Sequence, residues 1–408
     1  MLAYLVVFAV AAVATWLFTF VVRWGTVRWK VVVPPGERRI HERPLPTAGG
    51  VAMFAAFLVA MAVAWRVPHF HNIFKGASAP IGVVLGASII VAVGFFDDLK
   101  EVSAPAKLAG EVFACTPLFF LGITMFYFRI PFAGFMVLSS DLQPLVTVLW
   151  VVVIANAVNL IDGLDGLAAG IVAIAAGAFC VYGQRLSGAG LLSPDNIGPL
   201  VAAIACGVCI GFLPHNFHPA RIMMGDTGAL FLGMLMAVST SVVGGRIDNP
   251  FSGQTFFFFA PVFIPFLILG VPILDTVFAV FRRAARRSGV TTADKQHLHH
   301  RLMNLGHGQR RAVLILWVWT ALLSGFVLLP TFTGGDQTNH LIPFGVAALG
   351  VALYTLFHPG LRNRPPAPAT AGPPTLVVLD DPLPEQETPA AGAPGSPRPP
   401  FDWAQRQR

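Results

Sequence analysis

Near-continuous apolar runs recur through the first 357 positions of this chain. Each is close to the roughly 20 residues that a helix needs to cross the hydrocarbon core of a bilayer. Leu2 to Val22 is the first of them. Runs of this kind satisfy their backbone polar groups in lipid by forming α-helices, whereas a membrane β-barrel would need the alternating pattern that they lack. Composition agrees: 55% of the 408 residues are hydrophobic and 12% charged, with a mean hydropathy of +0.70, against roughly 25% charged in a soluble domain. A water-soluble fold of this length is excluded.

Taking the polar breaks as loops predicts eleven spans, near residues 2–22, 49–67, 80–96, 108–127, 145–160, 167–183, 198–213, 227–244, 255–280, 312–330 and 341–357. The expected fold is thus an all-α polytopic membrane protein of about eleven transmembrane helices. Residues 1–357 form the membrane body, and 358–408 form a Pro/Ala-rich tail whose composition cannot bury a core. The first run starts at residue 2 without a basic segment before it, so it reads as a span rather than a cleaved signal.

Charge orients the body. One alternating set of loops (23–48, 97–107, 160–166, 214–226 and 281–311) carries seventeen Lys and Arg, and the opposite set carries five. The positive-inside rule places the first set in the cytoplasm, the N-terminus outside and the C-terminus inside. The formal charge of +7 does not point to nucleic acid, because the basic residues lie in short loops between apolar runs. Cys115, Cys180, Cys206 and Cys209 all fall inside apolar runs, which indicates neither a disulfide framework nor a zinc site.

Four polar groups stand out, since ionisable residues at the edge of a bilayer are costly and usually functional. Asp97 and Asp98 close the third span, and Asn156-Ala-Val-Asn159-Leu-Ile-Asp162-Gly-Leu-Asp165-Gly166 closes the fifth. Pro214-His-Asn216 through Gly225-Asp226-Thr-Gly228 joins the seventh and eighth, and Asp294-Lys-Gln-His297-Leu-His299-His300-Arg301 lies in the largest basic loop. All four fall on the face that Lys and Arg counts alone place inside. Adjacent carboxylates repel unless a cation attends them, so Asp97 and Asp98 read either as a solvated helix end or as a divalent-cation site. Asp162 and Asp165 are three apart and share a face if the backbone there is helical. Mg2+ takes one or two carboxylates with phosphate oxygens and water, which makes a phosphorylated substrate the expected third party. Lys107 and the arginines at 282, 283, 286 and 287 are available to it, although most of the four arginines read better as topogenic charges, and the histidines read better as phosphate donors than as zinc ligands.

In this order and on one face, these motifs, with Arg38-Arg-Ile-His41-Glu-Arg-Pro44-Leu-Pro46-Thr-Ala-Gly49-Gly50 before them, resemble the polyprenyl-phosphate N-acetylhexosamine-1-phosphate transferases. The resemblance covers nearly the whole membrane body. His297-Leu298-His299-His300 looks like the N-acetylglucosamine branch rather than the muramoyl-pentapeptide branch, which usually shows three consecutive histidines, and Arg310-Arg with the Pro-rich tail resembles actinobacterial members. What the resemblance implies is transfer of N-acetylglucosamine 1-phosphate from a UDP-sugar to undecaprenyl or decaprenyl phosphate with release of UMP, at the cytoplasmic face of a bacterial plasma membrane, with Mg2+ or in its place Mn2+.

It also implies roles. Asp97, Asp98, Asp226 and Lys107 match catalytic positions, with Asp226 and Asp98 at the metal; Asn159, Asp162, Asp165, Asn216, His297, His299 and His300 match substrate-binding positions. Which aspartate is base and which is ligand stays open, as does a covalent aspartyl-phosphate route beside direct attack. The expected partners are the UDP-sugar, the lipid phosphate and the bilayer, with a homodimer left open. Two rivals stand: a muramoyl-pentapeptide or another UDP-N-acetylhexosamine donor, and a cation-coupled transporter, whose carboxylates would sit near the bilayer midplane rather than at helix ends.

Overall fold

A computed structural model of the chain describes residues 1–28, 45–76, 78–100, 102–130, 134–244 and 308–333, with short stretches at 31–32, 346–347, 350 and 377–378. Its long helices follow the apolar runs: α1 (Leu2–Arg28), α2 (Gly49–Arg66), a short α3 (His71–Lys75), α4 (Ser78–Leu99), α5 (Ala104–Phe120), α6 (Leu142–Ile161), α7 (Leu167–Gly188), α8 (Gly198–Asn216), α9 (Gly225–Gly244) and α10 (Gln309–Thr333). Seven of them (α1, α2, α4, α6, α7, α8 and α9) are long and apolar enough to cross a membrane. The expected span 255–280, most of 341–357 and the histidine loop lie outside the described residues.

Local chemistry explains the helix ends. Pro105 stands in the first turn of α5 and Pro199 in that of α8, where a missing N–H costs nothing. Thr15 and Thr19 are buried in α1 and donate their hydroxyls to the carbonyls four residues back, Ala11 O at 2.8 Å and Thr15 O at 2.6 Å. These side chains can therefore sit in an apolar setting with no polar group left over. One expected boundary is corrected: the fourth span, read as 108–127, ends at Phe120. Gly122 takes φ +89°, and Ile123 N–H then donates to Leu118 O at 2.7 Å, which stops the helix. The apolar residues beyond it form an antiparallel hairpin, Tyr127–Ile130 against Gly134–Val137, with Tyr127 opposite Val137.

Helix α9 is the hub of the bundle and packs against α2, α4, α6 and α8. In its most apolar stretch 94% of residues are buried inside the protein, compared with 22% for the peripheral α1. Trp150 of α6 donates its indole N–H to Thr240 Oγ1 of α9 at 2.9 Å, pairing two groups that burial would otherwise penalise. Because the helices alternate in direction, the end of α4, the start of α5, the end of α6, the end of α8 and the start of α9 come to one end of the bundle. Just after α1, Val31–Val32 pairs antiparallel with Val377–Val378, a point at which the tail meets this segment.

Candidate active site

The start of α9 is built by close approach. Met223 N–H donates to Pro46 O at 2.8 Å, while Gly49 and Gly50 N–H donate to the carbonyls of Met223 and Met224, each at 3.0 Å. A Cβ on Gly50 would come 2.2 Å from Gly228 N, so the proline-glycine segment before α2 is what lets that helix press on the first turn of α9. Gly225, at φ +69°, makes the turn into α9, and a Cβ there would lie 2.5 Å from Asp98 Oδ2. Asp98 reaches across from α4 as a helix cap. Its Oδ1 accepts Asp226 N–H at 2.9 Å, and its Oδ2 accepts Thr227 N–H at 3.1 Å and the Thr227 hydroxyl at 2.5 Å. These N–H groups have no partner within the helix, and a carboxylate is favoured at the positive end of its dipole.

Thus held, Asp226 faces Lys107. Lys107 Nζ lies 2.8 Å from Asp97 Oδ2 and pairs with Asp226 Oδ2. Asp97 Oδ1 accepts Val102 N–H at 2.8 Å and so braces the turn from α4 into α5. In the amide orientation that satisfies both neighbours, Asn159 donates to Asp226 Oδ1 at 3.1 Å and accepts from Lys107 Nζ at 2.9 Å. Asp226 is the most open of the trio: its side chain is 34% exposed, against 15% for Lys107 and 13% for Asp97. It is the member best placed to meet an incoming group.

The expected site residues divide. Asp97, Asp98, Lys107, Asn159 and Asp226 are brought together. Asp165 and Asn216 form a second group. Residues 162–166 are turns rather than helix, so the condition for Asp162 and Asp165 to share a helical face is not met. Asp165 is buried at 2% exposure, and its Oδ2 lies 2.7 Å from His218 Nδ1 and accepts Ala220 N–H at 3.1 Å. Asn216 accepts Gly166 N–H at 3.0 Å and donates to Ile222 O at 3.0 Å. These two residues tie the loop after α6 to the loop after α8, which leads into Asp226. Arg310 at the start of α10 donates to His218 O at 3.1 Å. Asp162 caps the C-terminal end of α6; His297, His299 and His300 lie outside the described residues.

Glu111 is an addition to the expected set. It is 1% exposed, one turn along α5 from Lys107, and accepts a hydrogen bond from Asn156 Nδ2 at 2.5 Å. Its signal was available, because a lone carboxylate within a predicted span is a functional candidate by default.

Among the described residues, no three His, Cys, Asp or Glu side chains gather as a metal-holding group. Mg2+ does not require three, since phosphate oxygens and water complete its shell. Asp226 and Asp97 already converge on one cation, the Lys107 ammonium, and so fit that ion as a donor pair. Asp98, expected at the metal with Asp226, has its oxygens held by backbone N–H groups and a hydroxyl of α9, whereas the oxygens of Asp97 and Asp226 that face each other are held by the Lys107 ammonium, a cation that another cation can replace.

Apolar helices of spanning length, with polar side chains gathered into one cluster at their shared end, define a multi-pass membrane protein. The chain belongs to the glycosyl transferase family 4, whose model matches residues 80–244, from α4 to the end of α9. Among its relatives is a decaprenyl-phosphate N-acetylglucosaminephosphotransferase of Mycolicibacterium smegmatis, 35% identical over 87% of this chain and 88% of that protein. A probable undecaprenyl-phosphate N-acetylglucosaminyl 1-phosphate transferase of Bacillus subtilis is 33% identical over 78% and 82%. A phospho-N-acetylmuramoyl-pentapeptide-transferase of Desulforudis audaxviator is 31% identical over 69% and 82%.

Proposed function

We propose that the chain transfers N-acetylglucosamine 1-phosphate from UDP-N-acetylglucosamine to a polyprenyl phosphate, at the cytoplasmic face of a bacterial plasma membrane and with Mg2+. The observation that carries the reading is the Lys107 cage of Asp97, Asn159 and Asp226 at one end of the bundle, in a chain matched over most of its length by relatives named for this transfer. A transporter would need carboxylates along a path open to both sides; here the aspartates gather at helix ends on one side, and Glu111, one turn deeper, is closed off.

In the proposed reaction an oxygen of the lipid phosphate attacks the β-phosphorus of the nucleotide sugar, and the bond from that phosphorus to the UMP oxygen breaks. One phosphoanhydride replaces another, so catalysis is positioning and charge neutralisation. Lys107 stabilises charge on the phosphates, Asp226 is the first carboxylate they meet, and Asn159 keeps the two in register. Asp226 and Asp97 would hold Mg2+, which would supply charge neutralisation for the departing UMP. Asp98 serves by holding the turn that presents Asp226. The lipid phosphate is largely dianionic at neutral pH, so direct attack needs no strong base.

Purified protein in detergent, given UDP-N-acetylglucosamine, polyprenyl phosphate and Mg2+, is expected to release UMP and form the lipid-linked sugar. Turnover of UDP-N-acetylmuramoyl-pentapeptide in its place would transfer the protein to the muramoyl branch, and no UMP from either donor would end the transferase reading.

A further inference from the structure

Two polar rungs join α5 to α6 beneath the site. Lys107 and Glu111 are four residues apart on α5, and Asn156 and Asn159 three apart on α6; either spacing places a pair on one helix face. The helices run in opposite senses, so the pairs meet in register: Lys107 with Asn159 at 2.9 Å, and one turn deeper Glu111 with Asn156 at 2.5 Å. Asn156 Nδ2 also donates to Val152 O at 2.9 Å, which fixes its rotamer. Glu111 in the deeper rung is shut off from solvent and Asn156 is half-buried, and Ala114, Cys115 and Leu118 continue the buried face of α5 below it. A carboxylate there has no water to fall back on, so its hydrogen bond is costly to break and sets geometry rather than merely decorating it.

We infer that Glu111 is a positioning residue for the transferase centre: by pairing with Asn156 it locks the axial register of α5 against α6, and thereby the depth at which Lys107 meets Asn159 and Asp226. The inference rests on the transferase reading above. What the rung requires is a matched donor and acceptor, not a charge. Glutamine at 111 can still accept from Asn156, leucine cannot, and aspartate at 156 sets two acceptors face to face. Glutamine at 111 with aspartate at 156 restores the pair with its polarity reversed; the bond from position 156 to Val152 O is lost in N156D and in the double variant alike, so recovery between these two reads the rung alone.

The experiment measures kcat for UMP release at saturating UDP-N-acetylglucosamine, polyprenyl phosphate and Mg2+, with thermal unfolding in detergent alongside. E111Q is expected to keep most of the wild-type kcat. E111L and N156D are expected to lose about tenfold or more, the scale on which small misplacements of reacting groups act, while E111Q/N156D returns to within about threefold of wild type. A residue that only filled space would show the reverse pattern, because leucine suits an apolar site and the double variant would compound two defects. Wild-type kcat in E111L, or no recovery in a folded E111Q/N156D, would overturn the positioning role and leave the transferase reading standing. If E111L does not fold, N156D and the double variant decide the matter. Absence of UMP release by the wild type would overturn the transferase reading, and this inference with it.

Discussion

Asp226 and Asp165 have nearly the same surroundings in the sequence, each an aspartate beside glycines at the mouth of an apolar helix, yet the fold uses them in opposite ways. Asp226 stands in the first turn of α9 with a third of its side chain open, and its partners are side chains from two other helices, Lys107 and Asn159. Asp165 is turned inward, and its partners are His218 and the Ala220 N–H of the loop after α8. The first carboxylate is presented to something outside the protein, and the second holds the loop that presents it. Side chain–side chain partners at an open surface can be exchanged for a ligand, whereas a backbone N–H held by a buried carboxylate cannot be released without unmaking the turn it belongs to.

The sharpest way to break this contrast is at the presented end, where the largest effects are expected. Asp226→Asn keeps the shape but removes the charge that meets Lys107, and Lys107→Ala removes the cation. Each is expected to lower kcat for UMP release by about 10²- to 10³-fold, the scale for removing one preorganised electrostatic group, with the folded fraction unchanged by size exclusion. EDTA is expected to abolish turnover, and Mg2+ or Mn2+ to restore it. Full turnover in excess EDTA would remove the metal from the mechanism, and an active Asp226→Asn would place the presented carboxylate elsewhere.

A smaller effect of different character is expected at the inward end. Asp165→Asn weakens charge-assisted hydrogen bonds in a buried turn, a cost of about 1.5–3 kcal/mol that falls on stability. The unfolding midpoint drops, while activity per folded molecule falls by less than about tenfold at low temperature. An unchanged midpoint together with lost turnover would put Asp165 beside Asp226 and dissolve the contrast.

The same contrast explains what could be read without a structure. The positions of the helices were legible, because the hydrophobic length that crosses a bilayer is a one-dimensional property; α2, α6 and α7 begin or end within a few residues of their expected limits. The end of α5 was not, because the stop depends on a left-handed Gly122 and the hairpin beyond is as apolar as a helix. The convergence of Asp97, Lys107, Asn159 and Asp226 followed from motif order and loop alternation. That Asp98 would spend both oxygens on the α9 N-terminus, and Asp165 its Oδ2 on a distant loop, did not follow, since those partners lie 128 and 53 to 55 residues away. Residue type announces a costly group, and only the fold says what it faces.

The smallest effect is expected at the tail. Residues beyond Arg364 contain none of the site residues, and their Pro- and Ala-rich composition offers little apolar surface to the body. The described contact there is the two-residue pairing of Val377–Val378 with Val31–Val32, which adds little stability as an isolated pair of strands. Truncation after Arg364 removes that pairing and leaves the start of α9, the turn into α5 and the Asp165 latch as they are. UMP release per folded molecule is therefore expected to stay within about twofold of the full chain. The segment after α1 precedes the proline-glycine stretch whose backbone holds Met223 and Met224, so it gives the tail a route to Asp226. A folded truncation with a large loss of kcat would show that this route is used, with the Val31–Val32 pairing holding the entry to α2 in place. The contrast between presented and presenting groups would then extend beyond the membrane body.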